Sequence, residues 1–228
     1  MTTPIRLVAL DMAGTTVADH GAVEEAFQGA LDAVGLTASA VRGDPAATIR
    51  RTMGQSKIEV FTELLGGDRH RAGQANSAFE LAFDHAVDRG EVAPIDGAES
   101  TFAALRRAGI RTCLTTGFSP ATRDRIVDAL GWVGAVDLAL SPVDAGRGRP
   151  WPDMILTAVL RLRVDAVAEV AVVGDTSSDL VAGTRSGASL VVGVLTGTHT
   201  RDELQAAPHT HILDSVADLP GLILGLTP

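Results

Sequence analysis

Three carboxylates stand out in this 228-residue chain by type and spacing: Asp11, Asp175 and Asp179. Asp11 ends an apolar run and is followed by Met12-Ala13-Gly14-Thr15-Thr16. A short carboxylate would therefore sit at a strand tip, beside a turn whose backbone amides can approach a phosphate. The segment Gly174-Asp175-Thr176-Ser177-Ser178-Asp179 follows a second apolar run. Two carboxylates four positions apart at a strand-to-helix junction can share one face of the first helical turn. Three such groups at one end of a sheet repel each other unless a cation lies among them, and hard oxygen donors around a phosphate suit Mg²⁺. Taken singly, Asp175 reads as a turn residue and Asp179 as a first-turn acid favoured by the helix dipole. Their conjunction with Asp11 is what points to a metal site.

Lys57 is the next candidate. Of the 19 basic residues, 18 are Arg and one is Lys. Where Arg serves as the ordinary positive charge, a lone Lys suggests chemistry a guanidinium cannot perform, because only an amine that loses its proton can act as a nucleophile. The plain alternative is one neutral surface residue. Other groups read as structural. Cys113 lies in the apolar run Ile110–Leu114 and is a small core residue; His209 and His211 flank Thr210 without a Cys or acid at ligand spacing. Gly197-Thr198-His199-Thr200 follows a strand and reads as a turn, contact with a substrate being the alternative. Arg50 and Arg51 read as solvating charges on the helix that carries Lys57, and Trp151 as packing for the loop around Arg149.

The elements that must position these groups alternate short apolar runs with amphipathic stretches, the pattern of βαβ units and a parallel sheet. Strands are expected at Ile5–Leu10, Ile110–Thr115, Val136–Leu140, Val170–Val173 and Leu190–Val194, with a weaker one at His211–Leu213. Helices are expected at Pro120–Leu130, Pro152–Leu162, Ser178–Ser186 and Arg201–Ala206. Three polar turns, at Asp11–Gly14, Thr115–Gly117 and Gly174–Thr176, follow strands, and in an open parallel sheet ligands bind beyond the carboxyl ends of the strands. The stretch from Val17 to Val92 breaks the alternation. It shows no convincing strand and reads as helices Ala22–Val34, Pro45–Leu65 and Ala72–Asp88. The expected fold is α/β: a Rossmann-like parallel sheet core, residues 1–17 and 93–228, with helices on both faces and a small α-helical cap, residues 18–92, inserted after the first strand.

Composition narrows the function classes. Hydrophobic residues make up 46% and charged residues 21%, as in a well-buried globule. A net charge of −9 argues against a nucleic-acid partner, whose phosphates require Lys and Arg. No apolar run approaches the roughly 20 residues of a membrane span, and no signal-peptide pattern opens the chain. With one Cys, no internal disulfide is possible, which fits a cytoplasmic location. The oligomeric state is open, a homodimer being one option.

Asp11-x-Ala-Gly-Thr, then Thr116 after an apolar strand, a basic residue, and Gly174-Asp175-x-x-x-Asp179 together resemble the four motifs of the haloacid dehalogenase hydrolases over nearly the whole chain. The resemblance implies Asp11 as a nucleophile that becomes an aspartyl-phosphate. It implies Asp11, Asp175, Asp179 and the carbonyl of Ala13 as magnesium ligands, with Asp179 acting through water. Ala13, Gly14, Thr116, Gly117 and Arg149 would hold the phosphoryl group. Most phosphatases of this group carry a second Asp two positions after the nucleophile, where Ala13 stands here, and a Lys where Arg149 stands. Both departures are similar to the phosphonatase branch, the phosphonoacetaldehyde hydrolases. So are Met53-Gly54-x-x-Lys57, matching that branch's Schiff-base lysine motif, Thr115-Thr116-Gly117 and Gly148-Arg149-Pro150-x-Pro152.

The resemblance therefore implies a Mg²⁺-dependent hydrolase that cleaves the C–P bond of phosphonoacetaldehyde or a related carbonyl phosphonate, with Lys57 as the imine-forming amine. The branch also commonly has a His three residues after that Lys and a Tyr after Thr-Thr-Gly; here these positions are Val60 and Phe118, and the chain has no Tyr. His20, on the loop entering the helical segment, is a possible substitute acid–base group, or simply a polar loop residue. Two other readings are a small-molecule phosphate monoester phosphatase of the same superfamily and a noncatalytic phosphate-binding protein.

Overall fold

The computed structural model describes residues 4–35 and 45–225. In chain order β1 (Leu7–Asp11) is followed by β2 (Val17–Ala18), α1 (Ala22–Ala33), α2 (Pro45–Arg51), α3 (Lys57–Leu64), α4 (Arg69–Asp88) and β3 (Ala93–Pro94). Next come α5 (Ala98–Arg107), β4 (Arg111–Thr115), α6 (Pro120–Ala129), β5 (Leu138–Leu140), α7 (Pro142–Ala145) and α8 (Asp153–Leu162). The chain continues through β6 (Val170–Gly174), α9 (Ser177–Ser186), β7 (Leu190–Val194), α10 (Arg201–Gln205), β8 (His211–Leu213) and α11 (Leu219–Leu224).

Six strands form one sheet in the order β5-β4-β1-β6-β7-β8, every neighbouring pair parallel. This is the α/β sheet flanked by helices that the alternating pattern predicts. β1 and β6 are buried along their whole length, because helices cover both faces of the sheet. Within β1, Val8 and Leu10 join one side of the core while Leu7 and Ala9 join the other. From β1 the chain builds outward first through β4 and β5, then returns to the other side through β6. The carboxyl ends of β1, β4 and β6 thus flank the point where strand order reverses, the position at which such sheets bind ligands.

The segment between the first two sheet strands departs from expectation in two ways. Val17–Ala18 and Ala93–Pro94 form a two-stranded antiparallel ribbon where the chain leaves and rejoins the sheet, so the region does begin with a strand. Two residues are too few to show a period. The helix expected over Pro45–Leu65 is two helices, α2 and α3, separated at residues 52–56. Gly54 takes φ 80°, a left-handed conformation that ends a helix, so Arg50 and Arg51 do not share a helix with Lys57. Part of the expected Ala22–Val34 to Pro45 connection lies outside the described residues. Helix α4 begins at Arg69, earlier than its apolar periodicity suggests, because Asp68 caps it by accepting the Arg71 amide. Five of the six Phe residues, at 27, 61, 79, 83 and 118, form one continuous aromatic cluster. Four of them belong to α1, α3 and α4; Phe118 reaches in from the loop after β4.

The amphipathic helix α5 follows from Ala98, Thr101, Phe102 and Leu105 on one face, a signal present in the sequence but absent from the expected helices. No helix among the described residues is long and apolar enough to cross a membrane.

Candidate active site

Asp11 is the last residue of β1, paired with Thr115, and is 4% exposed. Its turn is tied down locally: the Thr16 hydroxyl donates to the Asp11 carbonyl at 2.8 Å, and the Met12 carbonyl accepts from the amides of Thr15, Thr16 and Val17. Asp175 follows β6 and does not belong to a helical turn. Thr176 caps α9 and Asp179 is the third residue of that helix, its carboxylate turned back onto the Thr176 amide and hydroxyl. The shared-face expectation for Asp175 and Asp179 is thus replaced by a capping box that folds Asp179 toward Asp175. The Thr15 hydroxyl donates to Asp175 at 3.2 Å, and the Thr198 amide donates to its other oxygen at 2.8 Å.

Carboxylate oxygens of Asp11, Asp175 and Asp179 lie within 4.8 Å of one another, all buried. Burial raises the pKa of Asp11 well above the carboxylate range, and Asp179 and Asp175 add to it against the opposing Arg149 charge. Burial and then Asp179 push Asp175 up to about 6. One cation stands among the three: Arg149 Nη1 lies 2.6 Å from Asp11 and also bridges to Asp179. Three crowded carboxylates against one guanidinium leave unneutralised negative charge, and the donor set is all oxygen. That is the chemistry a Mg²⁺ ion fits. The Nε and Nη2 of Arg149 are buried and have no hydrogen-bond partner. Two unused donors on a guanidinium suit a bidentate oxyanion such as phosphate.

A cavity of about 420 Å³ opens over Asp11. Ala13 and Gly14 from the first turn, Thr116 and Gly117 from the turn after β4, and Thr176 beside β6 line its base, so all three polar turns contribute. Thr116 is buried, and its hydroxyl oxygen accepts the Phe118 amide at 3.2 Å, leaving the hydroxyl proton for a ligand. Arg149, Asp175 and Asp179 do not line this cavity but adjoin Asp11, and Arg149 also borders a neighbouring cleft with Trp151. The Trp151 ring stands 4.3 Å from the Arg147 guanidinium, in the loop that leads to Arg149, and 4.8 Å from that of Arg185, while staying 45% exposed.

Lys57 is the first residue of α3 and lines the same cavity as Asp11. It is 7% exposed, and its Nζ lies 5.2, 5.3 and 5.7 Å from the ring centroids of Phe118, Phe27 and Phe79. No salt bridge within 4 Å holds it among the described residues. Burial lowers its pKa from 10.5 to about 8; Arg149 acts in the same direction, and Asp11, Asp19 and Glu24 oppose it. At pH 7.5 about a quarter of such an amine is neutral, against roughly 0.1% of an ordinary one. The surface alternative for Lys57 is therefore wrong: the amine is enclosed and tuned.

Two close approaches seat the turn that delivers Lys57. A Cβ on Gly54 would lie 2.7 Å from the Thr176 hydroxyl, and one on Gly117 only 2.2 Å from the Gln55 carbonyl. The Lys57 amide in turn reaches the Gly117 carbonyl at 3.4 Å. Gly at 54 and 117 is thus what lets Met53-Gly54-x-x-Lys57 descend onto the sheet.

Other expected residues fall as follows. His20 lies on the cavity wall, exposed, with φ 48°. Val60 is buried in the core cluster and does not line the cavity, so no acid–base group replaces the family's His there. Cys113 is fully buried and burial raises its thiol pKa, which rules out a nucleophile. His209 and His211 are exposed and make local contacts away from the cavity. The loop at Thr196–Thr200 does more than turn the chain. Besides the Thr198 bond to Asp175, the Thr196 hydroxyl donates to the Gly14 carbonyl at 2.7 Å, and Gly197 and Thr198 line the cavity. Its backbone contacts left no signal in residue type. Asp19 and Glu24 also line the wall, and as polar residues of a loop and a first helical turn they carry no signal of it in residue type.

Comparison with known proteins agrees with this geometry. The family of haloacid dehalogenase-like hydrolases matches residues 5–187. Phosphonoacetaldehyde hydrolase of Salmonella newport (strain SL254) is 31% identical, over 96% of this chain and 94% of that one. The probable phosphatase IndB of Dickeya dadantii (strain 3937) is 28% identical, over 94% and 92%. Among solved structures, a hydrolase from Pseudomonas syringae superposes with a TM-score of 0.83 at 21% identity, covering 98% of this chain and all of that one. With the family matched over most of its length and a buried Asp11 at the switch point of a parallel sheet, the chain belongs to the haloacid dehalogenase-like hydrolases.

Proposed function

We propose that this hydrolase cleaves the carbon–phosphorus bond of phosphonoacetaldehyde or a related carbonyl phosphonate. The observation that carries the reading is Lys57: the only lysine in the chain, enclosed by three aromatic rings, lowered to a pKa of about 8, and on the wall of the cavity that holds Asp11. In this reading residues 18–92 act as a cap that brings the amine over the core residues.

The neutral amine adds to the substrate aldehyde and, with loss of water, forms an imine. An Asp11 oxygen then attacks phosphorus. With the imine nitrogen protonated, the C–P bond breaks and its electron pair moves into the C=N bond, leaving a neutral enamine on Lys57 and an aspartyl-phosphate on Asp11. Protonation of the enamine carbon and hydrolysis release the aldehyde and free the amine. Water then releases phosphate from Asp11. Asp11, Asp175 and Asp179, with the Ala13 carbonyl, would hold Mg²⁺, which when bound supplies positive charge to the phosphoryl oxygens. Arg149, held against Asp11 through Nη1 and with Nε and Nη2 unpartnered, would supply donors to the same oxygens, and Gly14, Thr116 and Gly117 the remaining cradle. Ala13 fits this chemistry, since a carbon leaving group needs an electron sink and not the proton a second Asp would give an alkoxide.

Phosphate monoester hydrolysis is a second reading, favoured by the likeness to the probable phosphatase IndB and by the absence of an acid–base group at Val60 and Phe118. Phosphate release from phosphonoacetaldehyde, measured beside a panel of phosphate monoesters with and without Mg²⁺, separates the two. The C–P reading predicts preference for the phosphonate; faster turnover of monoesters would reverse the order.

A further inference from the structure

We propose that His199 is a positioning residue that registers the Lys57-bearing turn on the core through the loop that also holds Asp175. This inference rests on the reading of Lys57 as the reactive amine. His199 is 7% exposed but lies outside the cavity wall that surrounds Asp11. Its Nδ1 accepts the Ser177 amide at 3.0 Å, and its Nε2 stands 3.3 Å from the Arg50 carbonyl. The first bond needs a lone pair on Nδ1, so the proton of the neutral ring belongs on Nε2, where the Arg50 carbonyl can accept it. One ring thus satisfies a helix-α9 amide from the core and the end of helix α2.

The position of each partner gives the contact its meaning. Arg50 is the last residue but one of α2, and its carbonyl also accepts the Met53 amide in the turn that leads to Gly54 and Lys57. Ser177 follows the Asp175-Thr176 pair and opens the helix carrying Asp179. His199 itself directly follows Thr198, whose amide holds Asp175. Along this path the Lys57 turn and the metal-site carboxylates are joined by a single side chain. Helix α10, which follows this loop, touches Arg50 again through Glu203, at 3.7 Å, but both groups are about half exposed and an exposed pair of this kind contributes little.

Two near-isosteres separate the two bonds. In His199→Asn the amide oxygen replaces Nδ1, keeping Ser177 and losing Arg50. In His199→Gln the amide N–H replaces Nε2, keeping Arg50 and losing Ser177. Registration through Arg50 predicts that His199→Ala and His199→Asn lose about tenfold or more in kcat on the best carbonyl phosphonate, with His199→Gln recovering most of it. Acetyl phosphate, whose leaving group needs no Lys57, should be hydrolysed within about threefold of wild type by all three. Hydrogen exchange at the Met53 amide, read without any substrate, should quicken in Ala and Asn and not in Gln. The opposite ranking, with Asn restoring and Gln failing, would overturn the proposal and leave His199 as a support for α9 alone; so would unchanged exchange at Met53 in all three. If the exchange pattern holds but no phosphonate is cleaved, the registration stands and the Schiff-base reading falls.

Discussion

At the scale of single residues, the site sets fold stability against reactivity at Lys57. Moving its pKa from 10.5 to about 8 corresponds to roughly 3 kcal/mol of lost stability while the amine is charged. Below pH 8 it is protonated in both folded and unfolded chains and the full cost applies. Between pH 8 and 10.5 the unfolded chain binds more proton, so wild-type stability from this group rises with pH across that window. Lys57→Met removes the charge and keeps the apolar stem. It should therefore be more stable than wild type at pH 7, by up to about 3 kcal/mol in chemical denaturation, with the gap closing toward pH 10.5. A destabilised Lys57→Met at pH 7 would mean the aromatic rings hold the cation favourably. Lys57 is legible in the sequence in two ways, as a lone lysine among 18 arginines and in the likeness of Met53-Gly54-x-x-Lys57 to the phosphonatase lysine motif. The rings around it are not: Phe27, Phe79 and Phe118 are distant in sequence and meet only through helix packing.

At the scale of elements, the decisive feature is the break between α2 and α3. The apolar pattern from Pro45 to Leu65 reads as one helix because nothing local but Gly54 interrupts it. What stops the helix is docking: residues 53–57 must meet Thr176 and Gly117, which a periodicity argument cannot see. The β2–β3 ribbon escaped for a related reason, having two residues a side. The central strands were legible because parallel strands covered on both faces are continuously apolar, and their predicted ends fall within two residues of those observed. Docking at Gly117 gives a direct test. Gly117→Ala would place a methyl 2.2 Å from the Gln55 carbonyl, and backbone on both sides leaves it little room. The variant should fold, because the clash is confined to the contact with residues 53–57. It should lose at least tenfold in kcat/KM. Near-wild-type kinetics would show that this contact is dispensable.

At the scale of the whole molecule, the carboxyl end of the sheet gathers negative charge that a divalent cation would offset. Mg²⁺ binding the folded chain at a hundred times its Kd adds about 2.7 kcal/mol, or roughly 5–10 °C in melting temperature for a chain of this size. That gain should appear in wild type and largely vanish in Asp175→Asn; an equal gain in both would place the ion elsewhere. The most direct test of the account joins the two halves of the site. Borohydride added with phosphonoacetaldehyde should reduce the imine, inactivate the protein irreversibly and leave the mass of a reduced two-carbon adduct on Lys57, the only side-chain amine in the chain. Lys57→Arg should show neither trapping nor phosphonate cleavage, because a guanidinium stays protonated. An unlabelled Lys57 during active turnover, or a Lys57→Arg variant that still cleaves the phosphonate, would contradict the Schiff-base mechanism.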